Sequence, residues 1–210
     1  MAIKKAIEKR KEKDQMKKKL LILISLLLLF SFYSKKDTAQ PTTQQEENPF
    51  FSAYNTPFET PPFDRIKEAH YLPAFQEGIK QQQTEVEAIA NNSETPTFEN
   101  TIEALERSGA LLTKVSSVFD NLTEANTNDT LQNIAKEVAP LLSKLQDDIN
   151  LNEKLFQKVK AVYEQKGKLN LSPEQSMLLE KYYKGFVRGG ANLDETQKAG
   201  LREINKELAL

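Results

Sequence analysis

The sequence has no cysteine and only one histidine, His70, among its 210 residues. Without cysteine the chain has no thiol nucleophile and no disulfide. A structural zinc site usually takes four cysteine or histidine ligands, and a catalytic zinc usually takes three protein ligands. This chain therefore cannot build a histidine-rich metal site by itself. No second histidine, cysteine or paired carboxylate stands at ligand spacing from His70, and we predict that its imidazole is a hydrogen-bonded structural group.

The sequence also has almost no net charge, because 29 Lys and Arg residues nearly balance 30 Asp and Glu residues. The charge is uneven along the chain. Residues 1–19 contain nine basic and three acidic residues, which leaves 20 basic and 27 acidic residues in the rest of the chain. Nucleic-acid binding needs clustered Lys or Arg side chains that displace phosphate counterions. The acidic remainder has no basic stripe, and we predict that the protein does not bind nucleic acid.

One long apolar run, Leu20 to Tyr33, follows three consecutive lysines. Its 14 residues would form a helix about 21 Å long, shorter than the ~30 Å hydrocarbon core of a bilayer. A basic flank before a short apolar run is typical of an export signal. We predict that residues 1–34 are a basic n-region and a signal peptide or anchor, with Met16 as the true start. A buried core helix is the alternative.

This export signal predicts the location of the protein. We expect it in the bacterial periplasm, or attached to the membrane through an uncleaved Leu20 to Tyr33. The absence of cysteine argues against a lipid anchor.

A polar stretch, residues 35–48, has no aliphatic side chain larger than that of Ala39. We predict a flexible linker there and a folded domain over residues 49–210. The domain begins with Pro49 to Phe63, which interleaves five aromatic residues with four prolines. Proline blocks a regular helix, so we predict that this segment lies extended across the helices. An exposed aromatic patch for a partner is the alternative.

The pattern in the rest of the domain predicts an all-α fold, because apolar residues recur at spacings of three and four and strand-like alternation is absent. In the stretch from Pro96 to Gly109, Phe98, Ile102 and Leu105 share one helical face. We predict that Thr95 caps this helix at its N-terminus. The stripe continues beyond Gly109 to Phe119, which predicts one long amphipathic helix.

Five further helices are predicted by the same periodicity. They cover residues 74–91, 131–149 with a bend at Pro140, 152–165, 173–187 and a last helix after its predicted N-cap, Asp194. Ser172 to Gln175 has the residue types of a capping box, and Gly189-Gly190 is a helix C-cap rather than a phosphate-binding loop. The last apolar stripe runs to Leu210 without a helix stop signal, so we predict that the domain is truncated at its C-terminal end.

Several literal strings resemble one enzyme family. They are NPFF at Asn48, PPFDRIKEAHYLPAF at Pro61, PTFENTIEALERSG at Pro96, DINLNEKLF at Asp148, FVRGGANL at Phe186 and EINKELA at Glu203. In order and over Asn48 to Leu210, the chain resembles the N-terminal region of the zinc metallopeptidases that include peptidyl-dipeptidase, oligopeptidase A and thimet oligopeptidase. The resemblance implies a multi-helix N-terminal domain of a clam-shaped helical enzyme. In that family these helices wall a channel that admits short peptides.

The family binds zinc through an HExxH helix in its C-terminal half, and this motif is absent here. His70 is followed by Tyr71 and Leu72, and no other histidine exists. We therefore assign no catalytic, cofactor-binding or metal-ligating residue in this chain, although the complete family enzyme uses zinc. The prediction is a channel wall from an exported peptidase that lacks its catalytic half and is inactive alone. The alternative is a non-catalytic, membrane-tethered helical module that binds peptides or a partner.

Overall fold

Residues 47–209 are described by a computed structural model, and their regular elements are all helical. This confirms the all-α fold class for the described residues. The predicted signal or anchor at Leu20 to Tyr33 and the linker over residues 35–46 lie outside them. None of the described helices combines the length and the apolar character that a membrane span requires.

The α-helices follow one another with short connections. They are α1 (Tyr71–Asn91), α2 (Ala104–Arg107), α3 (Ala110–Ala125), α4 (Asp129–Asn150), α5 (Glu153–Glu164), α6 (Pro173–Arg188) and α7 (Glu195–Leu208). A turn with π-helical hydrogen bonds, Phe98–Glu103, leads directly into α2. Short 3₁₀ turns occur at Pro49–Phe51, Pro57–Glu59, Glu68–His70 and Lys166–Lys168.

Two helix starts agree with the sequence prediction in atomic detail. The Ser172 hydroxyl accepts a hydrogen bond from the Gln175 backbone N–H at 3.2 Å, and the Gln175 side chain accepts one from the Ser172 N–H at 2.9 Å. This capping box begins α6. At the start of α7, the Asp194 carboxylate accepts a hydrogen bond from the Gln197 N–H at 2.8 Å. Both caps satisfy backbone donors that the first helical turn leaves without a partner.

The end of α6 is also as predicted. The Ala191 N–H donates to the Phe186 carbonyl at 3.0 Å, and the Gly190 N–H donates to the Val187 carbonyl at 3.3 Å. Gly190 has a φ of 95°, so this hydrogen-bond pair is a Schellman motif with glycine in the left-handed position.

The helix predicted from Pro96 through Gly109 to Phe119 is wrong in two respects. Its N-cap is Thr97 rather than Thr95, because the Thr97 hydroxyl accepts from the Asn100 N–H at 3.1 Å, while the Asn100 amide donates to the Thr95 carbonyl at 3.0 Å. The helix also breaks at Gly109, which has a φ of 75°. A left-handed residue cannot continue a right-handed helix, so α2 and α3 are separate elements.

Helix α1 starts three residues earlier than predicted, at Tyr71, with Pro73 in its first turn. Proline is tolerated there because the first N–H groups of a helix have no intrahelical acceptor. Pro140 lies inside α4, which continues through it. The predicted apolar stripe of α4 holds for Leu131, Val138 and Leu145, whereas Leu141 is 37% exposed.

Helix α1 is long enough to contribute to two hydrophobic clusters. Its N-terminal half packs with Phe50, α3 and α4, and the main members are Tyr71, Phe75, Val115, Phe119, Val138 and Leu145. Its C-terminal half packs with the Phe98 turn, α5 and α6, and the main members are Val86, Phe98, Ile102, Leu155, Val159, Leu179 and Phe186. The partly buried Ile149 of α4 contacts both clusters. Helices α1 and α3 approach closely at Gly78, where an added Cβ would lie 3.0 Å from the Leu112 Cα.

The aromatic N-terminal segment divides into a covered part and an exposed part. Phe50 is buried and Tyr54 is partly buried against the first cluster. Phe51, Phe58 and Phe63 are 51%, 99% and 55% exposed, so the prediction that the segment lies across the helices holds for only part of it. Asn48, placed in the linker by the sequence, joins the folded unit, since its side chain donates to the His70 carbonyl at 2.8 Å.

Helix α7 is held to α4 mainly by polar contacts. The Asn205 amide donates to the buried Asp147 carboxylate at 2.6 Å, and Arg202 forms an ion pair with Asp148 at 2.8 Å. On the apolar stripe predicted for this helix, Ile204 is 55% exposed and Leu208 is 80% exposed.

Candidate functional site

His70, the one residue with metal-ligating chemistry considered in the sequence, is a structural group. It is buried, and its Nδ1 accepts a hydrogen bond from the Lys67 backbone N–H at 3.0 Å. This confirms the predicted hydrogen-bonded role. Within residues 47–209, no three His, Asp or Glu side chains come together as a possible metal site. The described residues therefore do not fit a zinc ion, and no step of zinc chemistry is derived from them.

A cleft between α1, α2, α4 and α6 is one candidate site in the described part of the chain. Its volume is about 340 Å³. The apolar residues of its lining are Val86, Leu105, Ile149 and Phe186, which belong to the core clusters. The cleft is therefore an opening into packed hydrophobic side chains, which is the usual composition of a ligand-binding pocket.

Three carboxamides lie along this cleft, contributed by Gln82 of α1 and by Gln146 and Asn150 of α4. The Gln146 Nε2 donates to the Asn150 Oδ1 at 3.0 Å. A carboxamide both donates and accepts hydrogen bonds. The lining thus combines an apolar floor with groups that complement other amides.

Two glycines pack against these carboxamides. A Cβ added to Gly109 would lie 2.5 Å from the Gln82 Cδ, and one added to Gly189 would lie 2.7 Å from the Asn150 Nδ2. Real Cβ atoms do not approach other atoms so closely. Gly109 and Gly189 therefore allow Gln82 and Asn150 to occupy their positions.

A hydrogen-bonded pair borders the same cleft. The Tyr182 hydroxyl of α6 donates to the Glu106 carboxylate of α2 at 2.7 Å. Burial, followed by the hydrogen bond and the charge of Glu106, raises the pKa of the Tyr182 phenol. The phenol is therefore a stable hydrogen-bond donor at neutral pH, and it ties α6 to α2 across the cleft.

A larger groove of about 760 Å³ lies between the N-terminal segment and helices α1 and α3. Lys114 holds the segment there, because its ammonium group donates to the carbonyls of Phe50 at 3.1 Å and Ser52 at 2.6 Å. The same group lies 3.9 Å from the centre of the Tyr54 ring, and burial lowers the pKa of Lys114. The polar groups of this groove mainly fasten the chain to itself, so the cleft beside α6 remains the better candidate.

Sequence reasoning did not find the cleft, because its lining comes from four helices that are distant in the sequence. The signal that the sequence offers for this cleft is a pair of glycines. Gly109 ends the string PTFENTIEALERSG, and Gly189 lies within FVRGGANL.

Comparison with known proteins shows what most of this chain is similar to. No protein-family model matches the sequence. The dipeptidyl carboxypeptidase of Salmonella typhimurium is 45% identical over 162 residues, which are 77% of this chain and 24% of that protein. The chain is homologous to the dipeptidyl carboxypeptidases. The resemblance carried by the literal strings is thereby confirmed.

More distant members of the same group also match. Oligopeptidase A of Escherichia coli is 23% identical over 73% of this chain and 23% of that protein. A thimet-like oligopeptidase of Dictyostelium discoideum is 28% identical over 59% of this chain and 19% of that protein. The chain thus spans about a quarter of the length of the dipeptidyl carboxypeptidases it matches.

Proposed function

We propose that this chain forms a peptide-facing wall in a zinc metallopeptidase of the peptidyl-dipeptidase type. The observation that carries the proposal is the 45% identity to a dipeptidyl carboxypeptidase over 77% of the chain. In this proposal the enzyme hydrolyses short peptides, and the helices described here line one side of the channel that receives them. The concave lining beside α6, with its apolar floor and carboxamides, has the chemistry of such a wall.

Zinc binding and catalysis would then belong to residues that this sequence does not contain. An HExxH motif needs two histidines four positions apart, and the sequence has one histidine. The contribution of this chain is then to bind and orient the peptide. Such positioning accelerates a reaction by holding the reacting groups in a productive geometry.

Hydrolysis of an internally quenched oligopeptide tests this division of labour. We expect the purified full chain to release no fluorescence above the buffer rate, with or without added zinc. We expect zinc-dependent hydrolysis once the chain is combined with a polypeptide that carries the remaining three quarters of a dipeptidyl carboxypeptidase. Zinc-dependent turnover by the full chain alone would contradict the proposal.

We also propose that the protein is exported to the bacterial periplasm, or held at the membrane by Leu20 to Tyr33. The supporting observation is the apolar run directly after Lys17, Lys18 and Lys19. Residues 16–40 fused to a phosphatase that is active only in the periplasm provide the test. Active phosphatase is the expected result, and an inactive enzyme that remains in the cytosol would overturn the export proposal.

A second candidate function is a non-catalytic, membrane-tethered module that binds peptides or a partner protein. The observation that favours it is the extent of packing, since the described residues form two hydrophobic clusters and capped helices. This candidate predicts a monodisperse protein with one cooperative thermal transition. The channel-wall proposal predicts that the elution position and the thermal midpoint change when the polypeptide carrying the remaining three quarters of a dipeptidyl carboxypeptidase is added, whereas the module predicts no change. Size-exclusion chromatography together with a thermal melt separates the two.

A further inference from the structure

We infer that the cleft between α1, α2, α4 and α6 is a subsite for one apolar side chain of an extended peptide, whose backbone is bound by the carboxamides of Gln82, Gln146 and Asn150. The inference rests on the proposed function and adds a defined binding site to it. It concerns binding only, so it is testable without any catalytic group.

The floor of the cleft determines what enters it. Its apolar lining, called the floor here, consists of the buried core residues Val86, Leu105 and Phe186 and the partly buried Ile149. Apolar surface of this kind gains free energy when it is covered by another apolar group. The volume of about 340 Å³ is at the lower end of the range of roughly 300–1,000 Å³ that is usual for ligand pockets. This size admits a short peptide segment with one large side chain, rather than a folded protein surface.

The carboxamides determine how the rest of the ligand is held. The backbone of an extended peptide presents N–H donors and carbonyl acceptors to its surroundings. The Gln146 Nε2 already donates to the Asn150 Oδ1, and the other polar atoms of this pair are an acceptor on Gln146 and a donor on Asn150. Such a pair complements one peptide unit without selecting a charge or a sequence. Recognition of this kind suits an enzyme that accepts many peptides.

Two of the carboxamides lie against glycine. The Gln82 amide group lies in the space that a Cβ of Gly109 would occupy, and Asn150 lies in that of Gly189. The Gly109 N–H donates to the Glu85 carboxylate at 2.7 Å. A side chain at either glycine would displace the amide beside it. Both glycines belong to strings that resemble the peptidase family, PTFENTIEALERSG and FVRGGANL.

Gly185 of α6 provides a sharp way to block the subsite. It lines the cleft, is exposed, and a Cβ at this position would meet no atom within 4 Å. A leucine at this position therefore starts from open space at the lining of the cleft, and we expect its side chain to narrow the cleft. Gly200 of α7 is the matched control, because it is also exposed, lies within a helix and has no atom within 4 Å of an added Cβ.

The test measures the fluorescence anisotropy of two labelled peptides titrated with the full chain in mild detergent. The probes are fluorescein-Gly-Ser-Gly-Phe-Gly-Ser-Gly and the same peptide with glycine in place of phenylalanine, and a detergent-only titration is the blank. We expect saturable binding of the phenylalanine probe and affinity at least about tenfold lower for the glycine probe, because burying a phenylalanine side chain contributes that much or more. The Gly185→Leu variant should weaken binding of the phenylalanine probe at least about tenfold, whereas Gly200→Leu should leave it unchanged.

Three results would overturn the inference. They are the absence of saturable binding up to millimolar protein, equal affinity for the two probes, and wild-type affinity of the Gly185→Leu variant with an unchanged thermal melt. None of these results depends on hydrolysis. The subsite can therefore fail while the peptidase proposal stands, and probe binding can succeed when the combined polypeptides prove inactive.

Discussion

Gly109 and Gln82 are in such close contact that a Cβ on the glycine would lie 2.5 Å from the Gln82 Cδ. The glycine also has a φ of 75°, a conformation that side-chain-bearing residues rarely adopt. It thus ends one helix, begins the next and leaves room for a carboxamide at the rim of the cleft.

Replacing Gly109 with alanine should destabilise the protein. The left-handed backbone conformation is the main cause, since the end of the Gln82 side chain can shift, and we expect a loss of about 1–3 kcal/mol in the free energy of unfolding. Urea denaturation followed by circular dichroism measures it. Gly167→Ala is the control, because Gly167 is exposed and has no atom near an added Cβ. Equal free energies of unfolding for the two variants would show that neither the left-handed conformation nor the Gln82 contact disfavours a side chain at position 109.

Helix packing predicts opposite effects for two other glycines. Gly78 lies where α1 meets α3, and a Cβ there would be 3.0 Å from the backbone of Leu112. Overpacking at Gly78→Ala should cost about 1–3 kcal/mol. The Gly185→Ala variant should instead stabilise α6 by about 0.5–1 kcal/mol, because alanine favours a helix and the position is open. Thermal melts of both variants measure the two effects. Stabilisation by Gly78→Ala would contradict the close contact between α1 and α3.

Tyr71 predicts how stability responds to alkaline pH. Burial, then the neighbouring Tyr54 and Glu68, raises the pKa of the Tyr71 phenol from 10.0 to about 12. The unfolded chain therefore releases this proton at lower pH than the folded protein does. The associated stability is present below pH 10 and is lost as the pH rises through about 12. Tyr71→Phe should make the decline in unfolding free energy over this interval shallower.

The same variant has a second expected effect near neutral pH. Within residues 47–209, the buried Tyr71 hydroxyl has no hydrogen-bond partner. Removing a buried hydroxyl in this situation is neutral or stabilising, and we expect a change between zero and about +1 kcal/mol at pH 7. Urea titrations at pH 7 and at several pH values from 9 to 11 measure both effects. A loss of more than about 1 kcal/mol at pH 7 would indicate that the hydroxyl has a partner after all.

The caps of α6 and α7 should each contribute to stability. Ser172→Ala removes the acceptor for the Gln175 N–H, and Asp194→Ala removes the acceptor for the Gln197 N–H. Each change should cost about 0.5–2 kcal/mol. Ser176→Ala, at an exposed position inside α6, is the control and should change stability by less than about 0.5 kcal/mol. A melt in which all three variants match the wild type would rule out a stabilising role for the caps.

Features that depend on residues close in the sequence were predicted better than features that depend on distant residues. Ser172, Asp194 and Gly190 were identified correctly because a cap depends on residues within one turn. Thr95 was the wrong cap because the Thr97 hydroxyl accepts the Asn100 N–H instead, a competition between two nearby threonines that residue type does not resolve.

Longer-range features were not predictable in the same way. The apolar period continues across Gly109, so it gives no sign of the left-handed break. The exposure of Phe58, and the meeting of Gln82, Gln146 and Asn150 in one cleft, depend on how distant helices pack.

The most direct test of the channel-wall proposal is a chimeric enzyme. In the Salmonella typhimurium dipeptidyl carboxypeptidase, the 162 matched residues are replaced by their counterparts from this chain, and kcat/KM is measured on a quenched peptide with zinc. The account predicts zinc-dependent hydrolysis by the chimera, and weaker hydrolysis when the insert carries Gly185→Leu but not Gly200→Leu. A chimera that folds and binds zinc, yet hydrolyses no peptide, would contradict the claim that this chain is a functional wall of the peptidase.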